Sequence, residues 1–397
     1  MQKNNPRILI FSLAYFPELV GGAEVAVKEL TDRLPDLEFS MVTIRGPHVK
    51  KEERVGNVHV YRVGPRCGTG ILGKIFFQCS KYAYPFLAYK KAQSLHENNQ
   101  FDTIWSIMAN HAGFAARLFK KKNPEVRFVL TLQEGDPIPY IKKKVRFVRR
   151  AFQDIFARAD CVTAISHYLM QFARDMGYTK EGTVIGNGVA IAHFSKQFTS
   201  EVRTALRARM GITPNQKVLV TASRLVVKNG IADVIDALAL LPEDYVFVVI
   251  GIGGLEASLR ARAEDLHIAH RVHFLGYIPH HDLPQYLHAS DIFIRPSLSE
   301  GLGNAFLEAM AAGIPVIATP VGGIPDFLKE KETGIFCEVH NPESICRAVS
   351  MLEDETLRDH VIVQAKHMVA DRYDWDVLAG RMRAVLSETS VGDRVNV

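Results

Sequence analysis

Residues 295–326 read RPSLSEGLGNAFLEAMAAGIPVIATPVGGIPD. The stretch parses as a loop, a glycine turn, a helix start, an apolar strand and a second glycine turn. The turn Gly301-Leu302-Gly303 stands directly before a predicted helix at Asn304–Ala312. At such a junction backbone N–H groups and the positive end of the helix dipole converge, which suits an anion, most simply a phosphate. Glu300 stands at the mouth of the turn and Glu308 lies within the helix. A carboxylate is badly placed for phosphate itself but accepts hydrogen bonds from hydroxyls, and sugars and ribose supply those. The ligand implied is a sugar-diphosphate-nucleoside. Two glutamates at this spacing also arise by chance, so the inference rests on the whole stretch.

Working outward, apolar runs of buried-strand type precede it at Lys217–Ala222, Tyr245–Ile250, Val272–Leu275 and Asp291–Ile294. Helical patterns lie between them, and others follow at Pro342–Leu352, Thr356–Asp371 and Trp375–Leu386. The first half repeats the rhythm. Strands are expected at Arg7–Leu13, Phe39–Ile44, Val58–Val63, Thr103–Ile107, Arg127–Leu132, Cys161–Ile165 and Thr183–Ile185, with helices at Ala23–Leu34 and around Ile75–Leu95. Alternation of this kind predicts two α/β halves, each a mostly parallel sheet wound on both faces. The rhythm breaks near Asn187–Ser200, read as a linker, which gives domains 1–192 and 193–374.

The signature resembles that of the family 4 retaining glycosyltransferases, enzymes of the GT-B fold. Pro296, Ser297, Glu300, Gly301, Gly303, Glu308, Ala309, Met310, Gly313, Pro315, Val316, Gly322 and Gly323 all fit its pattern. The resemblance covers nearly the whole chain. It implies two Rossmann-like domains with the active site in a central cleft, and a C-terminal segment, 375–397, crossing back to the N-terminal domain. It also implies a nucleoside-diphosphate-sugar donor, with Arg224 and Lys228 of SRLVVKNG holding the diphosphate beside Gly301, Leu302, Gly303 and Asn304. Glu300 would then meet the donor sugar and Glu308 the ribose. Two fixed cations can stabilise the leaving diphosphate, so no metal or other cofactor is expected. The family's usual spacing puts the lysine one position later than Lys228. Gly251 and Gly253 resemble its nucleotide turn, and Gly276-Tyr277 stands where it contacts the base. Gly21-Gly22 resembles its N-terminal glycine loop, but Leu19 replaces the lysine of the glucan synthases. Gln133 stands where many relatives have His; it can bind a hydroxyl but cannot move a proton. Glu134, Asp136 and His111 complete the acceptor-side candidates. Asn187-Gly188-Val189 resembles the family's NGVD turn, with Ala190 in place of Asp.

Charge divides unevenly. Residues 1–190 carry 28 Lys and Arg against 17 Asp and Glu, whereas the remainder carries 20 against 26. Tyr140–Arg158 concentrates the excess, with Lys142, Lys143, Lys144, Arg146, Arg149 and Arg150 around an apolar face of Ile141, Val145, Val148, Phe152 and Ile155. This predicts either a basic amphipathic helix lying on anionic lipid or a core-packed helix with a solvated basic face. Nucleic acid is a poor partner, since no aromatic platform accompanies the charge. The five cysteines are odd in number and widely spaced, which favours small core residues over ligands or disulfides. The start has no secretory pattern and no apolar run is long enough to span a bilayer. These features predict a cytoplasmic protein, peripheral at the inner membrane face; the resemblance implies a UDP- or GDP-sugar donor and a glycan or lipid-linked acceptor in cell-envelope polysaccharide synthesis. A nucleoside-diphosphate-sugar 2-epimerase or a non-catalytic sensor would share the diphosphate site. The epimerase would need acid and base groups and no acceptor groove; the sensor would need no leaving-group cations.

Overall fold

The computed structural model describes residues 5–66 and 70–388. Two compact units form: residues up to Asn187 together with those from Trp375 onward, and Gly188–Asp374. Cys67 and residues 389–397 lie outside the described residues.

In the first unit eight strands make one sheet: β1 (Arg7–Phe11), β2 (Glu38–Ile44), β3 (Glu52–Val55), β4 (Val58–Val63), β5 (Thr103–Ile107), β6 (Arg127–Leu132), β7 (Cys161–Ala164) and β8 (Thr183–Val184). Their order is β3-β4-β2-β1-β5-β6-β7-β8, parallel except where β3 pairs antiparallel with β4. Ile8 to Phe11 are wholly buried, as a central parallel strand covered on both faces requires. Sequence patterning gave no strand at Glu52–Val55 because the segment is charged. It is an edge strand, joined to β4 through Gly56-Asn57 with Gly56 at φ +57°. The C-terminal helix Trp375–Ser387 belongs to this unit. Trp375, Leu378, Ala379, Met382 and Leu386, spaced along one helical face, enter the core beside the helix Gly22–Asp32. Arg33 donates to Asp376 at 2.8 Å and Arg127 to Glu388 at 2.6 Å, fixing both ends of it.

The second unit has six strands: β9 (Lys217–Ala222), β10 (Tyr245–Ile250), β11 (Val272–Gly276), β12 (Ile292–Arg295), β13 (Val316–Ala318) and β14 (Ile335–Phe336). Their order is β11-β10-β9-β12-β13-β14, all parallel. Strand order reverses between β9 and β12, and ligands of open α/β sheets bind beyond the carboxyl ends of the strands at such a point. Residues after Gly188 fold with this unit. The Val189 amide donates to Tyr373 O at 2.7 Å, Ile191–Phe194 forms a short helix, and Thr199 caps the helix Ser200–Arg209.

Tyr140–Arg158 is not one helix. It breaks into the helix Ile138–Lys144, a 3-10 turn Arg146–Val148 and the helix Arg149–Arg158. Phe152 and Ile155 pack into the core, whereas Val148 is exposed and the neighbouring Phe147 more so. The expected single apolar face is therefore divided between core and solvent. Cysteine placement also differs in part: Cys161 and Cys337 are buried, but Cys79 is exposed.

Glycine is required where the loops after β9 and β10 meet. Gly251 has φ +131°, and a Cβ there would lie 1.9 Å from Ser223 O. Gly254 has open space around it. Gly251→Ala is expected to cost about 2 kcal/mol or more and to lower Tm by about 5 °C, with Gly254→Ala near wild type. Equal melting curves for the two variants, measured by calorimetry, would contradict this account of the turn.

Candidate active site

The loops after β9, β10 and β12 converge at the reversal of the second sheet. Arg224, exposed, and Lys228, half-buried, follow β9. Asn229 Nδ2 donates to Arg224 O at 2.6 Å and folds this loop back on itself. The Leu298 amide donates to Lys228 O at 2.7 Å and ties it to the loop after β12. Gly230 closes the segment at φ +66°, where a Cβ would lie 2.0 Å from Pro296 O. Gly253 makes a similar approach, 2.4 Å from Leu225 O. The Gly251 amide donates to Gly276 O at 2.7 Å, which places Gly276 beside the same turn, and Tyr277 follows it in solvent.

Beyond β12 the chain turns through Glu300 and Gly301-Leu302-Gly303 into the helix Asn304–Ala312. Gly303, at φ +97°, is the N-cap and brings no side chain to the helix start. Glu300 and Glu308 are both mostly buried, and each is held by a partner that spacing did not single out. Arg295 Nη2 donates to Glu300 Oε1 at 2.7 Å. Glu308 Oε1 accepts from His280 Nε2 at 2.9 Å. His280 is backed by Phe194, whose ring centroid is 5.2 Å away. Sequence reading gave neither Arg295 nor His280 a role. Arg295 looks like the end of a strand, and His280 stands 28 positions before its partner.

The acceptor-side candidates all lie in the first unit. Gln133, Glu134 and Asp136 follow β6, and His111 opens the helix after the neighbouring β5. Gln133 is buried and its Oε1 accepts from Asn187 Nδ2 at 3.3 Å. Asp136 is exposed. Glu134 Oε1 accepts from the Ala109 amide at 2.8 Å, while Oε2 is buried without a partner. Burial pushes the Glu134 carboxyl up to about 7, and Asp136 adds to the shift against the pull of backbone amides. Burial also holds the His111 imidazole below its usual range, aided by Lys144 and Lys81. At the glycine loop, the Gly21 amide donates to Glu24 Oε2 at 2.8 Å, so a carboxylate of this chain occupies that amide.

Two family patterns match: Glycosyltransferase Family 4 over residues 20–193 and Glycosyl transferases group 1 over residues 202–368. A GDP-mannose-dependent monoacylated alpha-(1-6)-phosphatidylinositol monomannoside mannosyltransferase of Corynebacterium glutamicum is 30% identical over 76% of this chain and 80% of its own. An uncharacterised glycosyltransferase of Methanocaldococcus jannaschii is 26% identical over 94% and 96%. Among solved structures, Anabaena HepE in complex with UDP and glucose superposes with a TM-score of 0.76 at 21% identity, over 96% of this chain and 99% of that one. Sucrose-phosphate synthase from Thermosynechococcus elongatus gives 0.79 at 18% identity, over 96% and 98%. The chain belongs to the family 4, group 1 glycosyltransferases and has their GT-B fold.

Glu134 allows a test of the buried carboxyl. The unfolded chain binds its proton near the ordinary 4.5 and the folded chain near 7, so the wild type loses stability as pH rises between these values. Glu134→Gln keeps the Oε1 acceptor and removes the titration. Its Tm is expected to match wild type near pH 4.5 and to exceed it by a gap that grows to about pH 7 and is level above. A gap independent of pH would show that the carboxyl does not titrate in this way.

Proposed function

We propose that this chain is a retaining, metal-independent glycosyltransferase that moves a sugar from a UDP- or GDP-sugar to a glycan or lipid-linked acceptor. The observation that carries the reading is the convergence on one sheet reversal of two cations, a glycine-capped helix start and two mostly buried glutamates. Arg224 and Lys228 meet the diphosphate and take up the charge it gains on leaving, the task a divalent ion performs elsewhere. The amides at Gly303 and Asn304 add the helix dipole to the same anion. Glu308 accepts from the ribose hydroxyls and Glu300 from those of the sugar. With no carboxylate assigned as nucleophile, departure and attack occur on one face of the sugar, and the leaving diphosphate helps to deprotonate the acceptor. The GDP-mannose-dependent relative of Corynebacterium glutamicum and the complex of Anabaena HepE with UDP and glucose support a nucleotide-sugar donor.

The acceptor is read from the first unit. Phe147 is 86% exposed and Tyr140 52%, among Lys142, Lys143, Lys144, Arg146, Arg149 and Arg150. The Arg146 guanidinium lies 4.4 Å from the centre of the Phe147 ring. An exposed aromatic ring within a cationic cluster suits the interface of an anionic bilayer, where the ring enters the headgroup layer and the cations meet phosphates. No helix among the described residues is long and apolar enough to cross a membrane, so contact would be peripheral. The charge of Lys144 also acts on His111, which puts the cluster within electrostatic range of an acceptor-side residue.

A thermal-shift panel of UDP-, GDP-, ADP- and dTDP-sugars without metal is the first test, since a ligand of the folded state raises Tm. One nucleotide class is expected to raise it, and Glu308→Ala and Arg224→Ala to abolish the rise. No rise with any of them in folded protein would remove the donor assignment. Vesicle co-sedimentation tests the lipid surface. Binding to phosphatidylglycerol vesicles is expected to fall about tenfold in Phe147→Asp and to weaken with salt. Equal binding to phosphatidylcholine vesicles would count against an anionic surface.

A further inference from the structure

The functions assigned above leave Arg295 without a task. Its position at the end of β12 would suit an apolar residue, since Ile292, Phe293 and Ile294 before it are all core residues. Burying a guanidinium is costly, and a buried ion pair is rarely more stable than well-packed apolar side chains. Stability is therefore a weak reason for an arginine here. Its contacts supply a stronger one. Nη2 donates to Glu300 Oε1 at 2.7 Å, Nη1 reaches Ala222 O at 3.4 Å, and the guanidinium lies 4.1 Å from the centre of the Phe306 ring. Nε is buried with no partner. Nη2 also lies beneath the glycine turn, 3.1 Å from where a Gly303 Cβ would stand.

We propose that Arg295 is a positioning residue for the donor sugar, engaging Oε1 of Glu300 so that the carboxylate is held in place and presents Oε2 to a sugar hydroxyl. The inference rests on the reading of Glu300 as the sugar-binding carboxylate. Titratable groups on the elements packed around Glu300 are Arg295 itself, Arg224 and Lys228 after β9, Glu308 with its partner His280, and Asp326 beyond Gly323, whose amide donates to Glu300 O at 3.2 Å. Arg295 is a cation in direct contact with the carboxylate. Without Arg295, Glu300 loses the contact that fixes Oε1 and becomes a less well-placed acceptor for the sugar.

The test measures the affinity gained from the sugar, the ratio of Kd for the nucleoside diphosphate to Kd for its sugar. The probes are UDP with UDP-glucose, or GDP with GDP-mannose, whichever pair raises Tm. Titration calorimetry compares wild type, Arg295→Lys, Arg295→Met, Glu300→Gln and the Arg295→Met/Glu300→Gln double variant. In Arg295→Met the sugar gain is expected to fall about tenfold. Nucleoside-diphosphate binding should change far less. Arg295→Lys should keep part of the gain, short of wild type because lysine lacks the guanidinium fork. The double variant should be no worse than Glu300→Gln. A wild-type gain in Arg295→Met would overturn the proposal, as would independent addition of the two single effects. If Arg295→Met does not fold, the lysine and double variants decide by the same criteria. Failure of wild type to bind any nucleotide would defeat the donor assignment first. Binding of nucleotide with no gain from the sugar would defeat the role of Glu300, and this inference with it.

Discussion

The candidate donor site depends on main chain meeting main chain where no Cβ fits. Gly251 lies against Ser223, Gly253 against Leu225, Gly230 against Pro296 and Gly322 against Glu300, each with room for less than a methyl group. These four approaches lock the loops after β9, β10, β12 and β13 together beyond the sheet. They serve one electrostatic purpose, because the backbone they hold carries Arg224, Lys228, Glu300 and the start of the helix at Asn304. A cation on a free loop would spend its binding energy on being ordered. Here the hydrogen bonds of Asn229 and Leu298 have already ordered the segment that carries both cations.

A site proposed for a diphosphate that also contains two glutamates needs a reason for not repelling its ligand. Part of the answer lies in which oxygens are committed. Arg295 engages one oxygen of Glu300 and His280 one oxygen of Glu308, so each carboxylate meets the site already partnered. The charge of Glu300 is balanced from beneath by a guanidinium that is itself out of solvent. The site as a whole can then favour a diphosphate while keeping acceptors for hydroxyls, a combination that bare carboxylates beside a phosphate could not provide.

Sequence reached the two parallel sheets because apolar runs of central strands and their alternation with helices are local signals. It missed β3, whose charged residues suit an edge but not a core. It also missed the break at Val145, because the apolar spacing across Tyr140–Arg158 continues through a turn that backbone geometry interrupts. The loop residues of the donor site were legible through the resemblance of the signature as a whole. Their supports were not. Arg295 at a strand end and His280 in a distant loop acquire meaning only when the fold brings them to Glu300 and Glu308. The glycines read as nucleotide contacts at 251 and 253 are first of all packing requirements, which spacing alone does not distinguish.

The two units treat buried carboxyls in opposite ways, and the contrast follows from charge at close range rather than from net charge. The first unit holds the excess of lysine and arginine, yet among the described residues no cation contacts Glu134, and backbone amides oppose the cost of its burial. The second half of the chain is net acidic, yet its Glu300 has a guanidinium at hydrogen-bond distance. On the proposed reading, a carboxyl pushed up to about 7 suits a residue that meets an acceptor hydroxyl, where proton movement accompanies reaction. A carboxylate paired with a guanidinium suits a residue that only holds a sugar in place. The surplus cations of the first unit are instead spent at the surface around Phe147, where screening by water limits their reach to what lies against them.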